Sequence, residues 1–109
     1  MSPTRAQAMR IARELQAGLG RLYGPRLKGV YLYGSQARGE AHEDSDIDIA
    51  VVLAGPVDDA EEGRRTRDLI GGLSLRNNCL IATFFLSEEE YRTAPYAIHR
   101  SIVREGVPA

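Results

Sequence analysis

The chain has 109 residues, of which 43% are hydrophobic and 27% are charged, so we expect a single globular domain over residues 1–109. Its formal net charge of -1 argues against a general nucleic-acid-binding protein, which would need a strongly basic surface. One cysteine, Cys79, excludes an internal disulfide or a cysteine zinc site. Without an apolar run long enough to span a membrane, the sequence favours a cytoplasmic protein.

Residues 2–23 are predicted to form an amphipathic helix, with Ser2 as its N-cap. Apolar side chains recur there at spacings of three and four, which is the pattern of a helix that covers a core. Gly24-Pro25 should end this helix. The next segment, residues 27–33, carries apolar side chains on both faces and is predicted to be a central strand.

A Gly34-Ser35 turn follows this strand, and a second strand over residues 46–53 begins after a polar connection. Asp46 and Asp48 are two positions apart, so their carboxylates project from one face of that strand. Such close like charges repel unless a cation lies between them, and oxygen ligands favour magnesium over zinc. Backbone N–H groups of the turn are suited to bind the phosphates that magnesium accompanies. Ordinary solvated charge at a strand start is the alternative, and the preceding turn argues against it.

The polar connection contains a cation with two possible roles. Arg38 contacts a triphosphate in one interpretation, and in the other it fixes the loop by pairing with Glu40, Glu43 or Asp44. His42 has no histidine or cysteine partner at ligand spacing, so we expect it on the surface.

A second helix is predicted from Asp58 to about Leu75. Asp58 suits its N-cap, because Glu61 follows three residues later as in a capping box. The other acidic residues near its start fit the positive end of a helix better than they fit a second metal site. A third, strongly apolar strand is predicted over residues 79–86.

The chain should then return to helix. Ser87 and Glu90 form a capping-box pattern that predicts a short helix. A last helix is predicted over residues 96–104, with Gly106 as its stop. His99 has polar neighbours in the sequence, so we expect it to be exposed.

The turn and the aspartate pair together resemble a known signature. Gly34-Ser35, residues 36–45 and Asp46-Ile47-Asp48 are similar to the motif of the DNA polymerase beta-like nucleotidyltransferases. Within that superfamily the chain most resembles the minimal nucleotidyltransferase (MNT) group, whose members are often antitoxins paired with HEPN-domain toxins. This resemblance implies an α+β fold, with helices packed on one face of a small mixed sheet of three or more strands.

The resemblance also implies a site and a reaction. Asp46 and Asp48 would be the catalytic residues and the Mg²⁺ ligands, while Gly34, Ser35 and Arg38 would bind the nucleotide. The implied reaction moves AMP, or another nucleoside monophosphate, from ATP or another NTP to an acceptor hydroxyl. For this group, the implied acceptor is a tyrosine of a partner HEPN toxin, held in a hetero-oligomer.

The third strand departs from the family pattern. The family commonly places a third carboxylate beside the aspartate pair, and strand alignment puts that position near Ala82 or Thr83. Residues 79–86 contain no aspartate or glutamate. The alternative function is therefore a catalytically weak or inactive antitoxin of the same fold, which neutralises its partner by binding.

Overall fold

The structure is a computed structural model that describes residues 4–38 and 46–109, and for Ser35 and Gln36 it describes the backbone alone. Ser2, His42 and the loop acids predicted near Arg38 lie outside this description. The described α-helices and strands, in chain order, are α1 Arg5–Tyr23, β1 Leu27–Tyr33, α2 Ser35–Arg38, β2 Ile47–Leu53, α3 Asp59–Arg65, α4 Arg67–Asn77, β3 Ile81–Ser87, α5 Glu88–Thr93, α6 Ala97–Glu105 and β4 Val107–Pro108, with a 3-10 turn at Gly24–Arg26 between α1 and β1. None of the described helices is both long and apolar enough to cross a membrane.

The four described strands form one mixed sheet in the order β3-β2-β1-β4. The central pair, β1 and β2, is antiparallel, and β3 runs parallel to β2. The short strand β4 pairs antiparallel with β1, through Leu32 with Val107 and Tyr31 with Pro108. The predicted mixed α+β fold is confirmed, and β4 is a strand that the sequence pattern did not indicate.

Strand β2 divides the core between its two faces. Its odd-numbered residues from Ile47 to Leu53 pack with buried residues of α1 and with Leu73 of α4. On the other face, Ala50 and Val52 pack with Leu86 and with Ile102 of α6. The prediction of helices on one face is therefore corrected, because α6 covers part of the second face. Asp48 projects from this second face, in register with Ala50 and Val52.

Helix boundaries follow the predicted caps but not every predicted length. Thr4 is the N-cap of α1 and forms a capping box with Gln7. Asp58 accepts hydrogen bonds at the start of α3, and Ser87 caps α5, as predicted. The predicted helix over residues 58–75 is two helices, which meet at the buried Thr66. The Thr66 hydroxyl donates to the Glu62 carbonyl at 2.8 Å, a local bond of the kind that bends helices.

His99 is buried, which corrects the prediction that it is exposed. Its side chain is 3% exposed and lies near Phe84, with ring centroids 5.9 Å apart. Its Nδ1 accepts a hydrogen bond from the Tyr96 backbone N–H at 3.3 Å. His99 lies three residues before Ile102, so both occupy the face of α6 that is turned to the sheet.

A buried carboxylate joins the end of α1 to α3. Glu62 is 3% exposed, whereas the other acidic residues at the start of α3 are exposed. Its Oε1 accepts a hydrogen bond from the Tyr23 hydroxyl at 2.5 Å and lies 3.2 Å from Arg65 Nε. Arg26 Nη1 lies 3.7 Å from Glu62 Oε2. Burial, and then Glu62, raise the pKa of Tyr23, so its hydroxyl remains a hydrogen-bond donor at neutral pH.

We expect Tyr23→Phe to lower the free energy of unfolding by about 1.5–3 kcal/mol, because a hydrogen bond to a buried charged group is lost. Urea denaturation at pH 7 measures this change. Tyr96→Phe is the matched control, since Tyr96 is 69% exposed, and it should change the free energy by less than about 0.5 kcal/mol. Equal values for the two variants would contradict the stabilising role of the Tyr23–Glu62 bond.

Candidate functional site

The turn after β1 lies directly against Asp48. Gly34 has a φ of +73°, in the left-handed region that favours glycine. A Cβ built on Gly34 would lie 2.5 Å from Asp48 Oδ2, which is too close for a side chain. Tyr33 pairs with Asp48 in the register of β1 and β2, so the last residue of β1 lies opposite the second residue of β2. The structure thus brings Gly34 and Asp48 into contact.

Asp46 and Asp48 form a half-buried acidic pair at the start of β2. Asp46 precedes the first residue of the strand, whose N–H donates to the Leu80 carbonyl at 2.9 Å. Burial raises the pKa of Asp48 and the charge of Asp46 raises it further, whereas the charge of Arg38 lowers it. The two carboxylates therefore repel each other, as the sequence pattern predicted, and a cation between them would relieve that repulsion.

The neighbours of Asp48 on the adjacent strands are Tyr33 and Ala82. Thr83 pairs instead with Ile49, on the core-facing side, so Ala82 is the position that a third carboxylate would need. Tyr33 is half-buried, and burial, followed by the charges of Asp48 and Asp59, raises its pKa to about 12. Tyr33 is thus a neutral hydroxyl beside the acidic pair.

Arg38 reaches the site from α2. Its backbone N–H donates to the Gly34 carbonyl at 3.2 Å, and its Nη1 lies 2.9 Å from Glu105 Oε2. Sequence reasoning missed Glu105, which lies 67 residues from Arg38 along the chain. One signal was available: an acidic side chain at the last residue of a helix is electrostatically unfavourable unless a cation compensates it. The side chain of Ser35, predicted to bind phosphate, lies outside the described residues.

The donor set at this site fits a hard divalent cation. Within residues 4–38 and 46–109 no group of three or more histidine, cysteine or acidic side chains could hold a metal ion. Asp46 and Asp48 offer two carboxylates, and Mg²⁺ is commonly bound by one or two carboxylates together with substrate phosphates and water. The residues present therefore fit Mg²⁺ that arrives with a nucleotide and do not fit a structural zinc ion.

An open groove elsewhere on the sheet does not coincide with this chemistry. It has a volume of about 670 Å³, and its lining includes Lys28, Tyr31 and Tyr91. Neither Gly34 nor the aspartates Asp46 and Asp48 are among the lining residues, so the groove is a separate feature from the acidic pair. The candidate site is therefore the acidic pair with its Gly34 contact, because the volume of a groove does not indicate which reaction it supports.

Known proteins are similar to this chain in sequence and in fold. Residues 12–98 match the sequence model of a family described as "Nucleotidyltransferase domain". A protein of Methanocaldococcus jannaschii, provisionally named a protein adenylyltransferase, is 36% identical over 85 residues, which cover 77% of this chain and 79% of that protein. The crystal structure of a toxin–antitoxin complex with AMP-PNP is similar at a TM-score of 0.61 and 26% identity, over 86% of this chain and 68% of that chain.

A further solved structure agrees in fold. It is the complex of tri-AMPylated Shewanella oneidensis HEPN toxin with its MNT antitoxin. The similarity has a TM-score of 0.57 at 23% identity, over 93% of this chain and 70% of that chain. At this identity the match supports the fold alone.

Proposed function

Because this chain belongs to the nucleotidyltransferase domain family, we propose that it transfers AMP from ATP to a tyrosine hydroxyl of a HEPN-domain toxin. The observation that carries this proposal is the contact between Gly34 and the Asp48 carboxylate, since it joins the turn to the acidic pair. The M. jannaschii relative supports the reaction class through its name. The toxin–antitoxin complex with AMP-PNP, which is 26% identical to this chain, supports the nucleotide and a toxin as the partner.

Each residue of the site would have its own role in such a transfer. Asp46 and Asp48 would hold Mg²⁺, which when bound neutralises phosphate charge and orients the triphosphate. Gly34 keeps the turn close to Asp48, where a side chain would displace the carboxylate. Arg38 adds a fixed positive charge that suits a phosphate oxygen. Nucleotidyl transfer depends mainly on positioning and charge neutralisation, and these residues provide both.

The acceptor must be able to reach this arrangement. Asp46 and Asp48 are both half-buried, and they lie at the end of the sheet where β1 ends and β2 begins. A site at the end of a sheet is accessible to a side chain on another protein, which supports a macromolecular acceptor. A half-buried carboxylate pair also retains the solvent access that an exchanging nucleotide needs.

A direct test uses the purified chain, Mg-ATP and a candidate HEPN-domain partner, sought among the genes adjacent to its own. Intact mass spectrometry should show that the HEPN protein gains one or more whole AMP units, and peptide mapping should place them on tyrosine. Chelation with EDTA should prevent the gain, as should Asp46→Asn. A HEPN protein whose mass does not change with the wild-type chain and Mg²⁺ would refute the transferase function.

A second candidate function is favoured by Ala82. Because Ala82 occupies the position beside Asp48 on β3, no carboxylate from that strand is available as a base. General-base catalysis is commonly worth ~10²–10⁴ in rate, so transfer without it would be slow. In this alternative the chain neutralises the toxin by forming a complex with it. A stable complex without any mass gain, after prolonged incubation with Mg-ATP, would support this function over the first.

A further inference from the structure

Glu105 and Arg38 form an ion pair that joins the end of α6 to the candidate site. Arg38 Nη1 and Glu105 Oε2 are 2.9 Å apart, and the Glu105 side chain is 18% exposed. We propose that Glu105 is a positioning residue, which holds the Arg38 guanidinium where it meets the phosphates of a bound nucleotide. This proposal rests on the nucleotide-binding part of the proposed function.

Glu105 stands on a firmly anchored part of the chain. It is the last residue of α6, which is fixed to the sheet by the fully buried Ile102. The next residue, Gly106, donates its N–H to the Ile102 carbonyl at 2.8 Å. A Cβ on Gly106 would lie 2.6 Å from the Ile102 carbonyl oxygen and 3.2 Å from Tyr31 Cβ. This close contact, followed directly by β4, fixes the place from which the Glu105 side chain projects.

Arg38 lies on a much shorter helix than Glu105 does. It ends the four-residue helix α2, which begins directly after Gly34. Its backbone N–H donates to the Gly34 carbonyl at 3.2 Å, while its Nη1 lies 2.9 Å from Glu105 Oε2. Contacts therefore lead from Glu105 on α6 through Arg38 to Gly34, which lies against the Asp48 carboxylate.

The stability of α6 alone does not explain a glutamate at position 105. A negative charge at a helix C-terminus opposes the helix dipole, so this acid is unfavourable for the isolated helix. Arg104 Nη2 lies 3.6 Å from Glu105 Oε1, but the Arg104 side chain is 69% exposed, and such surface pairs contribute little. The shorter contact to Arg38 gives the carboxylate a partner at the site.

Holding Arg38 in place would favour phosphate binding. A guanidinium carries five N–H donors in a rigid plane and can engage a carboxylate and a phosphate together. A free arginine side chain loses rotamer freedom when it binds, and this loss weakens affinity. An arginine already held by Glu105 loses less, so Glu105 should raise the affinity for nucleotide without contacting the nucleotide.

We therefore expect Glu105→Gln to weaken Mg-ATP binding about 3- to 10-fold, the range expected when a long side chain loses one contact that orders it. Isothermal titration calorimetry measures the affinity, and circular dichroism measures the melting temperature. Glu89→Gln is the matched control, because Glu89 is 79% exposed and lies 4.0 Å from its arginine partner, Arg92. The control should leave both the affinity and the melting temperature unchanged.

A charge-reversed pair separates positioning from simple structural support. Arg38→Glu/Glu105→Arg restores the attraction between the two positions but places a negative charge near the phosphates. We expect this double variant to melt at the same temperature as the wild type but to bind Mg-ATP at least about 10-fold more weakly. Recovery of Mg-ATP binding in this double variant would show a purely structural pair and would overturn the proposal.

The same measurements distinguish failure of this inference from failure of the proposed function. If the wild type transfers AMP and Glu105→Gln binds Mg-ATP as tightly as the wild type does, the positioning role is overturned and the transferase function stands. Wild-type binding of Mg-ATP without transfer would overturn the transferase function, while the variants would still test Glu105. A wild-type chain that binds no Mg-ATP would overturn both.

Discussion

Replacing Asp48 with asparagine should abolish AMP transfer and at the same time stabilise the fold. The Asp48 carboxylate is placed against Gly34 and is repelled by Asp46. Asparagine keeps the shape of the side chain but removes the charge that holds a divalent cation. Removal of one preorganised electrostatic contact commonly costs ~10²–10³ in rate, so a lost metal ligand should cost at least about 10³.

The expected gain in stability follows from the pKa of Asp48. Burial and the charge of Asp46 raise this pKa in the folded chain, so the folded chain binds the proton more tightly than the unfolded chain does. The stabilisation from that tighter binding is complete below the ordinary aspartate pKa and is lost as the pH rises through the raised value. At pH 7 the wild-type chain therefore carries an unfavourable charge that asparagine lacks.

Thermal unfolding in EDTA at several pH values measures this effect. Asp48→Asn should melt at a higher temperature than the wild type at pH 7, and the difference should shrink as the pH falls below the raised pKa. Asp68→Asn is the control, since Asp68 is exposed on α4 and should change neither transfer nor the pH dependence. If Asp48→Asn melts at a lower temperature than the wild type at pH 7, the Asp48 charge does not destabilise the folded chain.

Local signals in the sequence predicted much of the fold. The apolar run over Leu27–Tyr33 is bounded by Pro25 and Gly34, and β1 has these same bounds in the structure. The N-caps Asp58 and Ser87 are also confirmed, because a cap depends on residues within three or four positions. The break at Thr66 was missed, since no glycine or proline marks it.

Contacts between distant parts of the chain could not be predicted in the same way. Strand β4 has two residues and exists through its pairing with β1, so its own sequence carries little signal. Glu105 reaches Arg38 across the fold, and the choice between Ala82 and Thr83 needed the register of β2 and β3. His99 was misjudged for another reason: its sequence neighbours are polar, but its helical spacing to Ile102 places it inside.

Gly34→Ala should test the geometry of the site most sharply, because it changes no charged group. The added methyl would lie 2.5 Å from Asp48 Oδ2, so the carboxylate must move. Displacement of a reacting arrangement by about 1 Å can cost ~10²-fold in rate, and we expect a loss of this size in AMP transfer. Because residue 34 has a positive φ, alanine there should also lower the free energy of unfolding by about 1–2 kcal/mol.

Gly55→Ala separates the two effects of this substitution. Gly55 has a φ of +81°, close to the +73° of Gly34, but a Cβ there would meet nothing within 4 Å. The two variants should therefore lose similar stability in urea denaturation, while Gly55→Ala keeps its transfer activity and Gly34→Ala does not. Equal activity in the two variants would mean that transfer does not depend on the close contact between Gly34 and the Asp48 carboxylate. A selective loss in Gly34→Ala would assign it to the displaced carboxylate, since backbone strain is common to both.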